Sequence, residues 1–465
     1  MGHGASSGAV PNRHAPTVVS ARLRLTDGYS IANAIATGAY ASLRSVLNTR
    51  SPAEVLEEVR RSGLTGRSGG AAFLTAQKWS LLSRGVAPVV VVNGDESEPG
   101  TFKDHALLQG DPHQLVEGAL ICAYAVGAQL VVVYIRGEMA LATERVTVAV
   151  NDAYSHGLAG AHIAGSAFSC DVVVHMGAGA YVVGEETALL ESLEGKRGFP
   201  RIKPPWYPAA KGYLGSPTVV NNVETLSALP WVMANGGAVF ASFGSGRSLG
   251  TRLFCLSGPV RRPGLFEVEL HRTTFADLIF GQSLGQGLKS GRQLTAIIPG
   301  ASFPWLPAEQ ADLPLDVDTV AANGSSLGSG VMVLDDGTCP VRVAWRLARF
   351  FHRESCGQCT PCREGTGWLE KVMHRIADGC GQQRDLELLR DIGDNISPPP
   401  FPHAPWRGAH AVAFPYRQTT ICPVGPSAVA PIASSMLLFR EDYEAHIYSR
   451  SCLYERSSAR VKVGT

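Results

Sequence analysis

The chain lacks a charge excess: 41 Lys and Arg stand against 40 Asp and Glu in 465 residues. Without one there is no electrostatic footprint for a nucleic acid and no polybasic anchor for a membrane surface. A membrane-spanning run is also missing. The apolar stretch Ala119–Ile135 breaks at Gly127-Ala128-Gln129, which divides it into an alanine-rich helix and a β-branched strand. The first residues, MGHGASSGAVPNRHAP, hold no apolar core, which argues against a secretory signal. The ten cysteines are therefore expected in reducing surroundings, where close spacing points to metal or redox chemistry rather than disulfides. The 51 glycines and 29 prolines predict many turns, but they follow no collagen or solenoid period. A 45% hydrophobic share suffices for sizeable cores, and the length suggests about three domains.

Residues 1–50 read as an N-terminal arm, Gly, Ser and Pro-rich and mobile over 1–30. Ser51-Pro52-Ala53-Glu54 predicts a capped helix start, with Val55, Leu56 and Val59 as its stripe and Gly63 as its stop. Strands are predicted at 88–93, 130–135 and 171–175, and helices at 115–126 and 139–154. Buried strands alternating with helices imply a parallel sheet, so 51–245 reads as an α/β domain with ligands beyond the strand ends. Residues 246–335 hold short strands, Gly/Pro turns and one helix near 274–280, which predicts a small α+β domain. Residues 336–446 turn helical around a Pro-rich insertion at 397–415, and 447–465 read as a loose polar tail.

The sharpest motif is Cys356-x2-Cys359-x2-Cys362, which lets one loop supply three corners of a cubic iron–sulfur cluster. Cys422, in TTICP, is the best candidate for the fourth ligand, and zinc is the alternative metal. Thr360-Pro361 opens a helix with stripe residues Trp368, Leu369, Val372, Met373 and Ile376; its positive end favours an anionic cluster. Cysteines 122, 170, 255, 339, 380 and 452 stand alone and read as ordinary thiols. The loop Gly66-Arg67-Ser68-Gly69-Gly70 with Lys78 suits a phosphate, though a turn without ligand reads equally well. Asn93-Gly94-Asp95-Glu96-Ser97-Glu98 fits a ligand with hydroxyls, or a solvated acidic turn. Glu185-Glu186 opens a helix, where acids also suit the macrodipole. Trp206 could stack on a base and Asn221-Asn222 could bond a flavin edge, while His105 and His175 read as structural.

In this order the blocks NGDESEPGTFKD, GAGAYVVGEETALLESLEGKRGFPRIKPP, PTVVNNVETL and ESCGQCTPCREGT resemble the NADH-binding flavoprotein, the 51 kDa component, of respiratory complex I (NADH-quinone oxidoreductase). The resemblance runs over residues 38–446 and extends to components of NAD-linked hydrogenases and formate dehydrogenases. It implies a Rossmann-like FMN/NADH domain, a ubiquitin-like β-grasp domain and a helical bundle carrying a [4Fe–4S] cluster. FMN would rest on Gly66, Arg67, Gly69 and Gly70, helped by Lys78. Its polar parts would meet Asn93, Asp95, Glu96, Ser97, Tyr181, Gly184 and Glu185, then Asn221, Asn222 and Thr225. NADH would stack between Phe73 and Trp206. Lys203 and the catalytic candidates Glu98 and Glu186 would contact its polar groups. Cys356, Cys359, Cys362 and Cys422 would carry the cluster. Implied partners are a thioredoxin-like [2Fe–2S] subunit and a multi-cluster iron–sulfur subunit, with quinone reached indirectly. The implied location is cytoplasmic, peripheral on the inner face of the cell membrane, without direct insertion.

The chain departs from the family loop GRGGAGFPTG: Ser68 is extra, Ala72 and Ala76 replace glycines and Leu74 replaces proline. A Cβ near a nucleotide can clash, which motivates a rival reading as a non-catalytic iron–sulfur relay. The diaphorase component of a soluble hydrogenase or formate dehydrogenase is the other alternative. Trp206-Tyr207 stands where the family has one Phe, and the spacer to Cys422 is long.

Overall fold

A computed structural model describes residues 17–25, 27–69, 73–398 and 419–454, without the side chain of Ser290. Gly70, residues 399–418 of the Pro-rich stretch and the last eleven residues of the tail lie outside them.

The first sheet is fully parallel. It contains β1 (Val89–Gly94), β2 (Leu130–Ile135), β3 (Asp171–Met176) and β4 (Thr218–Asn222), in the order β3-β2-β1-β4. The side-chain period of two decides what each face buries. Val90, Val92, Val131, Val133 and Val219 face one core, filled by α1 (Pro52–Ser62), α3 (Pro112–Val126) and α4 (Ala140–Ser155). Val89, Val91, Val132, Tyr134 and Val220 face another, shared with Phe351, Cys362, Cys422 and Ala428. The expected two-sided burial is therefore met, but the helical part of the chain covers the second face. The strand within PTVVNN, which carried only a motif in the sequence, is β4, and α6 (Leu229–Asn235) packs on the first core after it. The third strand is an edge, with Val173 half exposed.

Strong local signals match the structure. Ser51 and Glu54 form a full capping box on α1, and Gly63 ends it in the left-handed conformation. Gly127, at φ +75°, ends α3. That helix begins at Pro112 because Asp111 caps it, which the apolar pattern does not reveal.

The second sheet is mixed: β5 (Thr251–Ser257), β6 (Gly264–Glu269), β7 (Leu294–Ile298), β8 (Leu306–Pro307) and β9 (Gly330–Asp335), in the order β8-β7-β9-β5-β6. Only β9 and β5 run parallel. Helix α7 (Phe275–Phe280), capped by Thr274 and Asp277, supplies Phe275, Leu278 and Ile279 to its core. The last unit is helical: α8 (Pro340–Glu354), α9 (Thr360–Ala377), α10 (Arg384–Ile396), α11 (Val424–Leu438) and α12 (Arg440–Ser449). On α9 Leu369, Val372, Met373 and Ile376 are buried, but Trp368 is exposed and leaves the predicted stripe.

The N-terminal arm is corrected from Val18 onward. Val18, Val19, Tyr40, Leu43 and Val46 are core residues. The Glu267 carboxylate on β6 accepts hydrogen bonds from the amides of Val18, Val19 and Ser20, and Arg22 pairs with Asp111 at 2.8 Å. The described start of the polar tail also packs, with Ile447 and Cys452 in the helical core. Apolar residues among glycines and polar neighbours hide both attachments.

Candidate functional site

Parallel register places the polar loops together. Val92 is paired with Asn221 and Asn93 with Asn222, at the carboxyl ends of β1 and β4. The Asn93 amide donates to the Gly184 carbonyl at 3.0 Å, which ties the β1 loop to the β3 loop. The Asp95 amide donates to Asn93 Oδ1, and the Ser97 hydroxyl to Asp95 Oδ2 at 2.8 Å. Asp95 Oδ1 is buried and has no hydrogen-bond partner among the described residues. Burial pushes this carboxyl up to about 7, although Ser97 works the other way. An orphaned buried acceptor at a strand end is a fitting contact for a ligand hydroxyl.

Several predicted contacts are instead occupied within the protein. Glu96 accepts from the amides of Asp104 and His105, both at 3.0 Å, at the start of α2 (Lys103–Gly110). Burial and then Asp104 push its carboxyl up to about 8. Arg67, within the loop expected to suit a phosphate, does not offer its charge there. Its guanidinium is buried against Thr65 Oγ1 and the Leu249 carbonyl, at 2.8 and 2.7 Å, and burial lowers it to about 10. Only its backbone serves the loop, held by the Thr225 hydroxyl at 2.8 Å. Asn221 accepts from the Trp79 indole at 2.8 Å. Gly69 passes close to Glu98, since a Cβ there would lie 3.0 Å from Glu98 Oε2.

Beneath these loops lies a buried cage that the sequence reading misses. Lys103 Nζ lies 2.6 Å from Asp104 Oδ1 and 3.0 Å from both Glu224 Oε2 and Asn222 Oδ1. Asn222 donates back to Asp104 Oδ2. These partners raise the Lys103 ammonium above its ordinary value against the opposing effect of burial. The motif block ends in Lys103-Asp104, but nothing local shows that both point inward.

The acids opening α5 (Glu186–Leu193) form a charged cluster. Lys78 pairs with Glu186 at 2.7 Å, and Lys203 with Glu185 at 2.7 Å. Glu185 also caps the helix through the Thr187 and Ala188 amides. Burial raises Glu186, but Lys78 and Lys203 outweigh it and leave the carboxyl below its ordinary value. Phe73, Trp206 and Tyr207 expose their rings, and the Lys211 ammonium sits 4.4 Å from the Trp206 ring centre. A cavity of about 670 Å³ beside Trp206 is lined also by Arg201, Glu191 and Gln358. Among the described residues it touches neither the 93–98 loop nor the glycine loop, so it is separate from the polar loops at the strand ends.

The four cysteines converge. Cys356, Cys359, Cys362 and Cys422 share one apolar cluster with the second face of the first sheet. Burial pushes Cys422 up to about 12, with Cys362 and Cys356 adding to the shift. Four thiols gathered from two segments into one cluster suit a cubic iron–sulfur group. The loop is fastened to the first unit: Arg197 donates to the Cys356 carbonyl at 3.1 Å, and Gln358 to the Pro200 carbonyl at 3.2 Å. Tyr181 bridges the two regions. Its amide donates to Glu354 at 2.9 Å, its hydroxyl meets Ser302 at 3.0 Å, and its ring packs on Phe350 and Phe351. Ser302 also donates its amide to Glu98 at 3.1 Å. Ser302 carries no sequence signal, and Glu354 opens the block ESCGQCTPCREGT without a role being legible there.

Comparison with known proteins agrees with this construction. Residues 59–231 match the Nuo51 FMN-binding domain, and residues 342–446 the NADH-ubiquinone oxidoreductase-F iron-sulfur binding region. The chain is thus a two-cofactor electron-transfer protein, with an FMN-binding α/β part and a helical 4Fe–4S part. It is 43% identical to the second F-type subunit of the NADH-quinone oxidoreductase of Rhizobium meliloti, over 92% of this chain and 96% of that protein. It is 42% identical to the F-type subunit of the same enzyme in Mycobacterium bovis, over 90% of this chain and 89% of that one. A solved NAD+-reducing [NiFe]-hydrogenase in the H2-reduced state superposes with a TM-score of 0.75 at 34% identity, covering 92% of this chain and 69% of that one. The chain belongs to the family of NADH-quinone oxidoreductase F-type subunits, the 51 kDa flavoproteins of complex I.

Proposed function

We propose that this chain is the NADH-oxidising subunit of a complex I-type NADH-quinone oxidoreductase. When bound, FMN supplies the exchange between two-electron oxidation of NADH and one-electron delivery to a [4Fe–4S] cluster. The residues fit both groups: an orphaned carboxylate oxygen at the strand ends, a backbone loop passing beside Glu98, and four converging thiols. FMN would be held by the backbone of Gly66, Arg67, Gly69 and Gly70 together with Asn93, Asp95, Ser97, Tyr181, Gly184, Asn221, Asn222 and Thr225. Glu96 acts through the loop by capping α2.

Phe73 and Trp206 orient NADH by stacking. Glu98, Glu185, Glu186, Lys78 and Lys203 fix its polar groups and balance charge in the crevice. No side chain acts as a nucleophile. Cys356, Cys359, Cys362 and Cys422 hold the cluster. The observation that carries this reading is the shared sheet: its strand ends bring the polar segments at Asn93 and Asn222 together, and its face contacts Cys362 and Cys422.

Residues 51–245 form the flavin domain, extended by the packed segment from Val18. Residues 246–335 form a β-grasp domain and 336–446 the cluster domain, to which the chain through Tyr454 belongs. The partners are a thioredoxin-like [2Fe–2S] subunit and a multi-cluster iron–sulfur subunit, with quinone reached through them. They hold the chain on the cytoplasmic face of the membrane. None of the described helices is long and apolar enough to cross one. The likeness to a hydrogenase chain supports a second reading, a diaphorase with another partner, which co-purification separates.

The test is an anaerobic absorbance spectrum of the purified chain before and after NADH. Flavin bleaching is expected. Bound FMN that NADH leaves oxidised overturns the reading.

A further inference from the structure

Three side chains outside the flavin and cluster sites meet in the helical core. Cys339, Cys452 and His446 are all buried, at 9, 3 and 1% exposure. Their ligand atoms lie within 4.8 Å of one another, and they are the one such group of His, Cys and acids found among the described residues. Cys339 Sγ is 3.3 Å from His446 Nε2. The three come from separate elements: Cys339 caps α8, His446 lies on α12, and Cys452 follows that helix. Around them are apolar side chains, among them Val341, Ile376 and Ile447.

We infer that Cys339, His446 and Cys452 form a second metal site, for one divalent zinc-class cation, that fastens the end of the helical unit to its beginning. The donor set is that of a borderline-soft cation: two sulfurs and one imidazole nitrogen. Zinc bonds of about 2.3 Å to sulfur and 2.0 Å to nitrogen at tetrahedral angles set such atoms about 3.5–3.8 Å apart, so the observed cluster needs only a small adjustment. Two thiolates balance the charge of a divalent ion, which makes burial among apolar groups tolerable. The fourth ligand is a water oxygen, since the nearby Asp442 carboxylate is held by the Tyr454 hydroxyl at 2.7 Å and does not join the group.

The placement gives the site a purpose. Cys339 stands at one end of α8 and the Cys356 loop at the other, about 20 Å apart by helix rise. Closing the loop of more than a hundred residues between Cys339 and His446 restrains the unfolded chain. The ion would therefore fix the helix that leads into the iron–sulfur loop without joining the electron path.

The test uses the full chain, purified under reduction and replete in iron and FMN. Elemental analysis should find about one zinc per chain beside the iron. Zinc X-ray absorption should show two sulfurs at about 2.3 Å and light atoms at about 2.0–2.1 Å. Cys452→Ser and His446→Asn should each lower zinc at least about tenfold, with iron and flavin content unchanged. An iron-replete chain with less than about a tenth of a zinc, and no uptake from equimolar zinc chloride, overturns the inference. So does a zinc with four sulfurs, which belongs to the Cys356 loop, or a Cys339–Cys452 disulfide in peptides mapped without reduction. Should a variant fail to fold, zinc content and absorption of the unmodified chain still decide.

Discussion

Asn93 and Asn222 stand side by side at the carboxyl ends of adjacent parallel strands, although 128 residues separate them in the chain. The pairing brings two polar loops together at one edge of the sheet's strand ends. It also sets them over the Lys103 cage, to which Asn222 contributes both a donor and an acceptor.

Lys103 neutralises Asp104 and Glu224 where water does not reach. Lys103→Met leaves two carboxylates buried without their cation, and breaking such a pair costs about 3–5 kcal/mol. Urea unfolding should show that loss, and flavin affinity should fall with it because Asn222 loses its support.

Asp95 has the opposite electrostatic problem. Its folded value, about 7, lies above the ordinary 3.8. The folded state therefore holds a proton that the unfolded chain releases. The stabilising effect is complete below about pH 4 and is lost as pH rises to 7. Asp95→Asn should be more stable than the native chain at pH 8, by about 4 kcal/mol, and equal to it near pH 4. Thermal melts across pH measure this, and flavin retention should decline because an acceptor is lost.

Glu186 shifts downward, after Lys78 and Lys203 outweigh burial. Its contribution is present above the ordinary carboxylate value and is lost as pH falls through the depressed one. Lys78→Met should cost about 1 kcal/mol at neutral pH, with the gap closing on acidification. Melting temperatures of both proteins from pH 3 to 7 are the measurement.

Cys422 supplies the ligand that does not belong to the Cys356 loop. Cys422→Ser should strip most of the iron and acid-labile sulfide yet leave FMN content unchanged, because the flavin crevice lies at the strand ends. Iron, sulfide and flavin assays on one preparation check this.

Glu267 gathers the amides of Val18, Val19 and Ser20 together with the Ser20 and Thr251 hydroxyls. Glu267→Ala leaves these donors unpaired. It should destabilise by about 2–4 kcal/mol and speed proteolysis ahead of residue 30.

Much of the fold is legible because it is written locally. The Ser51–Glu54 box, the stop at Gly127, the valine runs of β1 and β2 and the Cys356 loop each depend on residues within one or two turns of chain. Order in the blocks also suffices to place the chain in its family. The attachments of Val18 and Cys452 are not legible, since short apolar stretches among glycines and polar residues carry no period.

The sequence alone determined which loops are polar, where strands and helices alternate, and which three thiols share a turn. The direction in which the side chains face comes from the folded chain. Folding turned Arg67 into the protein, made Glu96 a helix cap, closed the cage around Lys103 and joined Cys339 to His446 and Cys452. The physical reason is that direction and pairing over a hundred residues depend on how sheets and helices pack, and packing is a property of the whole chain rather than of any window along it.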